Sequence, residues 1–156
     1  MQTRLSSKLV KAAVIFSFGI SATIATFATS TAAFAQTTPD AVYQGLGGKE
    51  GINKIVADFL PIVLADDRIK DAFKETDMER LGLMLAEQFC ALTGGPCKYS
   101  GKEMQEAHKG MNINNAQFNA LAEDLQIAME KNNIPSSVSN KLVAKLAPMQ
   151  RPIVTK

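Results

Sequence analysis

Between Lys49 and Leu64 the apolar residues fall at Ile52, Ile55, Val56, Phe59, Leu60, Val63 and Leu64. Those three- and four-residue steps define one face of an α-helix. The spacing returns at Leu81, Leu85, Phe89 and Leu92, then at Phe118, Leu121, Leu125, Ala128 and Met129, and again at Val138, Leu142, Val143 and Leu146. No stretch sustains the apolar–polar alternation of a half-buried strand. A chain patterned this way has to bury its helical stripes against one another, so the expected fold class is all-α.

Breakers and caps divide the pattern. Residues 41–46 suffice for one short turn of helix before Gly47-Gly48 interrupts it. Pro61, inside the next stripe, is expected to kink that helix or end its regular part. Asp66-Asp67 and residues 69–73 form a corner. Thr76 with Glu79 three residues on is a capping-box pattern, opening a helix that stops at Gly94-Gly95-Pro96. Residues 97–112 carry few apolar anchors and read as loop, with a short helix around residues 103–108. Asn114-Asn115 caps a long helix that Asn132-Asn133 ends. Pro135-Ser136 starts the last one, which ends near Pro148.

The first 35 residues carry a different signal. Arg4, Lys8 and Lys11 form a basic start with no acidic residue, residues 12–20 are apolar apart from Ser17, and Ala33-Phe34-Ala35 is a small-x-small pattern. This predicts a signal peptide over residues 1–35, cut after Ala35, and export to a bacterial periplasm; an uncleaved membrane anchor is the alternative. A polar tail, residues 36–40, and one domain, residues 41–156, follow. The whole chain has 17 basic and 15 acidic residues. Without the three basic leader residues the balance is 14 against 15, a net of −1. Nothing there favours a nucleic-acid partner, and once the leader is cut no segment is left for stable membrane insertion.

Both cysteines, Cys90 and Cys97, lie beyond the leader with six residues between them. In an exported protein they read first as a disulfide. A thioredoxin-like site wants two intervening residues, and a zinc site needs further ligands of which the single histidine supplies at most one. Cys-x-x-Cys-His is absent, so any haem would be held non-covalently.

That histidine, His108, follows Tyr99-Ser-Gly101 and Met104. Most catalytic schemes give a histidine a nucleophile, a carboxylate or a second metal ligand as partner. A haem asks for one axial nitrogen and a dry slot between helices, because the porphyrin fills the equatorial positions.

Four pieces in order then carry a family likeness: Tyr43-Gln-Gly-Leu-Gly-Gly48; Asp58-Phe59 with Val63-Leu-Ala-Asp-Asp67; Phe73 followed by Thr76-Asp-Met and later Thr93-Gly-Gly-Pro96; and Tyr99-Ser-Gly101 with Met104 and His108. Together they resemble a group I truncated haemoglobin, the two-over-two globin, over roughly residues 41–154. The resemblance implies a helical sandwich around haem b, non-covalent iron protoporphyrin IX, with His108 as iron ligand. It also implies Phe73 at the porphyrin edge and Leu60, Leu81 and Leu85 as the distal ceiling. Phe59 and Phe89 would close the walls, and Tyr99, Met104, Ile113 and Phe118 would line the proximal side and rim. Lys102 and Lys109 would be solvated or paired with propionates. Gln88 would point away or sideways, and by helix geometry Met84 would stand one position off the inward face.

The family commonly sets a tyrosine and a glutamine where this chain has Leu60 and Leu85, and those two stabilise bound dioxygen. The expected function is therefore reversible binding of diatomic gases (dioxygen, carbon monoxide, nitric oxide) at a five-coordinate iron with a weak hold on dioxygen, served by a reductase or other electron donor. The alternatives are a nitric oxide dioxygenase or other haem redox enzyme, and a haem-free globin-fold interaction module.

Overall fold

The computed structural model describes residues 38–156. The leader, its cleavage point and the first two residues of the polar tail lie outside the described residues. Within them the chain is helical: α1 is Ala41–Gly45, α2 Gly48–Ala65, α3 Met78–Leu92, α4 Met104–Ala107, α5 Asn115–Lys131, α6 Ser136–Leu146 and α7 Gln150–Ile153. A 3₁₀ turn, Lys70–Phe73, makes the corner after α2. α2 packs on both α3 and α5, and α6 touches α3 and α5, so the pair α2/α3 lies over the pair α5/α6. This is the two-over-two helical sandwich.

Local chemistry accounts for the boundaries. Gly47 and Gly48 take φ of 86° and 64°, a left-handed turn that side chains resist, and α2 begins there. α2 continues through Pro61 to Ala65 and does not end at the proline. Its buried face is Ile52, Ile55, Val56, Phe59 and Val63, each contributing about 1.5–3 kcal/mol on burial. α3 opens one residue later than the capping-box pattern implies. Its N-cap is Asp77, whose carboxylate accepts the Arg80 backbone N–H at 3.0 Å; a short anionic acceptor at a helix N-terminus is favoured on both counts. α5 has the full reciprocal cap, with Asn114 accepting from the Gln117 backbone at 2.9 Å and Gln117 accepting from Asn114 at 3.1 Å.

α6 is not the last helix. A 3₁₀ turn, Ala147–Met149, and then α7 follow it. Pro148 lies in the first positions of that turn, where a missing N–H breaks no intrahelical bond, so the chain proceeds where a stop was expected.

Two polar links join the layers. Asp58 of α2 accepts from Lys131 at 2.6 Å and from Asn132 at 2.8 Å at the end of α5, which holds its carboxyl below the ordinary range. Arg68, at the corner, bonds Asp66 and reaches Glu123 of α5 at 2.6 Å. Beside Glu123, Asp124 is buried and one of its oxygens has no hydrogen-bond partner. Burial first, and then the neighbouring Asp66, push its carboxyl above the ordinary 3.8. The folded state therefore holds the Asp124 proton more tightly than the unfolded chain does. Its favourable contribution is complete below 3.8 and is lost as pH rises through the raised value. Asp124→Asn should make the protein more stable than the parent at neutral pH, with the difference closing towards pH 3. Denaturant midpoints measured across that range check it, and a constant difference would contradict it.

Candidate functional site

Two helices and a glycine build one side of a cavity. α3 crosses α2 at Gly82, where an added Cβ would stand 3.3 Å from Leu60 Cδ1 and 3.7 Å from Val56 Cγ1. Beside this crossing Leu60 of α2 and Leu81 and Leu85 of α3 line the cavity. All three are only half-buried, because they face a cavity of about 400 Å³. That volume is within the ~300–1,000 Å³ usual for ligand pockets. Phe59 and Phe89, both 2% exposed, close its walls, and Phe73 stands on it from the corner.

The opposite side comes from the segment after α3. Tyr99, Met104, His108 and Ile113 of that segment line it, with Phe118 of α5. This segment is tied back to α3 in two places. Ser100 donates to Glu87 through its backbone N–H at 2.9 Å and its hydroxyl at 2.7 Å, which lowers the Glu87 carboxyl. The Cys90 and Cys97 sulfurs meet, with their Cα atoms 5.7 Å apart. Tyr99 donates to the Lys102 carbonyl at 2.9 Å, and burial followed by the charges of Glu103 and Glu87 raises its phenol.

His108 sits at the C-terminal cap of α4, half-buried, with Nδ1 2.8 Å from the Met104 carbonyl oxygen. A carbonyl can only accept, so Nδ1 carries a proton, and in the neutral ring Nε2 is the nitrogen left with the lone pair. A neutral imidazole oriented by a backbone carbonyl is the usual form of a metal-binding histidine. Among the described residues there is no cluster of three or more His, Cys, Asp or Glu side chains to hold a metal by themselves. The donor set is one nitrogen in an apolar chamber, which fits a planar metallocofactor that brings its own equatorial ligands.

The structure thus brings all eleven expected lining residues onto one cavity. It also corrects two placements. Gln88, expected to point away or sideways, is 8% exposed and lies on the cavity wall: it is seven residues from Leu81, two helical turns along the same stripe. Met84 also lines the cavity, although it was placed off the inward face. Lys102 and Lys109 are both exposed; of the two only Lys102 reaches the cavity, where Arg80 stands with it. Leu146, Met149 and Ile153 complete the lining. They come from the C-terminal end of α6 and from the helical turns beyond it, which the sequence pattern does not show because the last helix is expected to end near Pro148.

A chamber of this shape, walled by a two-over-two sandwich and carrying a single oriented imidazole, defines a haem-binding globin. The family model of bacterial-like globins matches residues 41–155. The group 1 truncated hemoglobin of Tetrahymena pyriformis is 39% identical over 103 residues, covering 66% of this chain and 85% of the relative. That of Mycolicibacterium paratuberculosis is 32% identical over 124 residues, covering 80% and 91%. The Fe(III) crystal structure of the Tetrahymena pyriformis protein superposes with a TM-score of 0.71 at 35% identity, over 74% of this chain and 98% of that one. The chain belongs to the bacterial-like globin family, as a group I truncated globin. Its cofactor is haem b, held without a covalent bond.

Proposed function

We propose that His108 supplies the axial nitrogen to the haem iron, and that the chain binds diatomic gases reversibly on the face covered by Leu60, Leu81 and Leu85. The observation carrying this is the His108 ring, bonded at Nδ1 to the Met104 carbonyl and standing on the wall of the apolar cavity. When bound, haem offers one coordination position to a small gas; the protein decides what stands beside it. Dioxygen gathers partial negative charge there, and a donor would stabilise that charge by ~1.5–3 kcal/mol. Leucines have no donor to give. Carbon monoxide and nitric oxide gather less charge, so the leucine ceiling favours them over dioxygen. It also disfavours the nitric oxide dioxygenase reading, which needs dioxygen held long enough to react. Arg80 and Lys102, the cations on the lining, are suited to the haem carboxylates.

Optical spectra of the purified protein as ferric, ferrous and carbon monoxide-bound forms test this. A five-coordinate ferrous band that shifts sharply with carbon monoxide is the expected result. A low-spin ferrous band would mean an internal sixth ligand, and failure to take up haem would leave a globin-fold interaction module.

The leader pattern and the paired cysteines together support export, with Cys90–Cys97 oxidised. Treatment with a reductant should then add two hydrogens to the intact mass and lower the unfolding free energy by about 2–3 kcal/mol, as expected for so small a ring. No mass change would mean that the thiols are free in solution. The N-terminal residue of protein recovered from a periplasmic fraction tests the cut after Ala35.

A further inference from the structure

Among the described residues Gln88 is the one buried polar side chain on the cavity wall. An amide in apolar surroundings costs free energy unless it is bonded. The partners of its Nε2 are the thioether sulfurs of Met104, at 3.5 Å, and Met149, at 3.8 Å. Met104 is also the residue whose carbonyl holds His108 Nδ1 at 2.8 Å. α4 is four residues long, too short to hold its place by its own hydrogen bonds. It packs against α7, and Met149 immediately precedes that helix.

We propose that Gln88 is a positioning residue for His108: its amide hydrogen-bonds the Met104 and Met149 thioethers, joins α3 to both α4 and the chain entering α7, and so fixes the imidazole's orientation towards the iron. Leucine at 88 would suit the apolar lining at least as well as glutamine does. The bond to Met104 therefore does something packing alone would not require. Such a tie gives the gas-binding helix a direct connection to the helix bearing the axial ligand.

This inference rests on His108 being the axial ligand, and the test separates the two. The iron–histidine stretching band of the ferrous, haem-loaded protein is measured by resonance Raman for the parent, Gln88→Leu, Met104→Leu and the double variant. The expected result is a band in the parent that Gln88→Leu shifts and Met104→Leu shifts in the same direction, while the double variant goes no further than Gln88→Leu, since removing the amide already loses the bond to Met104. A band unmoved by Gln88→Leu overturns the proposal. So does a change confined to the C–O stretch of the carbon monoxide form, which would aim the amide at the gas. No such band in the parent would instead sink the His108 assignment. Should Gln88→Leu fail to fold, Gln88→Met removes the same donor at nearly equal volume and is read the same way.

Discussion

Replacing His108 with alanine is expected to abolish the histidine-ligated spectrum and to weaken haem retention severely. Losing a residue that merely orients a metal ligand costs ~10–100-fold in affinity, so losing the ligand itself should cost more. The fold should survive, because the ring is only half-buried and its one side-chain bond is to the carbonyl of its own short helix. Haem transfer to an acceptor apoglobin gives the retention, and far-ultraviolet dichroism the fold. Imidazole added to His108→Gly should restore the parent spectrum. Unchanged retention and spectrum in the alanine variant would mean that another group binds the iron.

The second large effect is on gas release. Leu60→Tyr should slow dioxygen dissociation by roughly 10–150-fold, the factor that ~1.5–3 kcal/mol from one donor to a charged acceptor implies. Carbon monoxide should respond far less, because it carries less charge for a phenol to meet. Flash photolysis and stopped-flow mixing give both rates. Equal changes for the two gases would mean that the new ring obstructs the path to the iron and donates no bond; no change would mean that Leu60 does not stand over the binding position.

Much of this was legible in the sequence, and the pattern of what was not is instructive. The stripe Leu81, Leu85, Phe89 placed α3 correctly because apolar periodicity reports which face is buried. The same logic misled for Gln88: a polar residue is assumed to face water, yet it sits on that stripe, and only the thioethers of Met104 and Met149 show what it bonds. Those sulfurs lie 16 and 61 residues away, a separation that no local pattern reports. The Asn114–Gln117 cap was visible because both partners lie within one turn. Asp77 was overlooked because Thr76 and Glu79 make an equally good local box, and a one-residue choice between caps is decided by backbone geometry. The turns beyond Pro148 were lost because proline stops an α-helix interior but not the opening of a 3₁₀ turn.

Gly82 fixes a clearance. Two helices can lie this close because a single methyl group is missing between them, and the height of the leucine roof is set by that omission. Alanine there would press on Leu60 by a few tenths of an ångström, lowering the roof without altering its chemistry. The space beneath the leucines is thus set in part by a residue that bears no side chain, and a change at Gly82 would alter that space while every side chain lining it stayed the same.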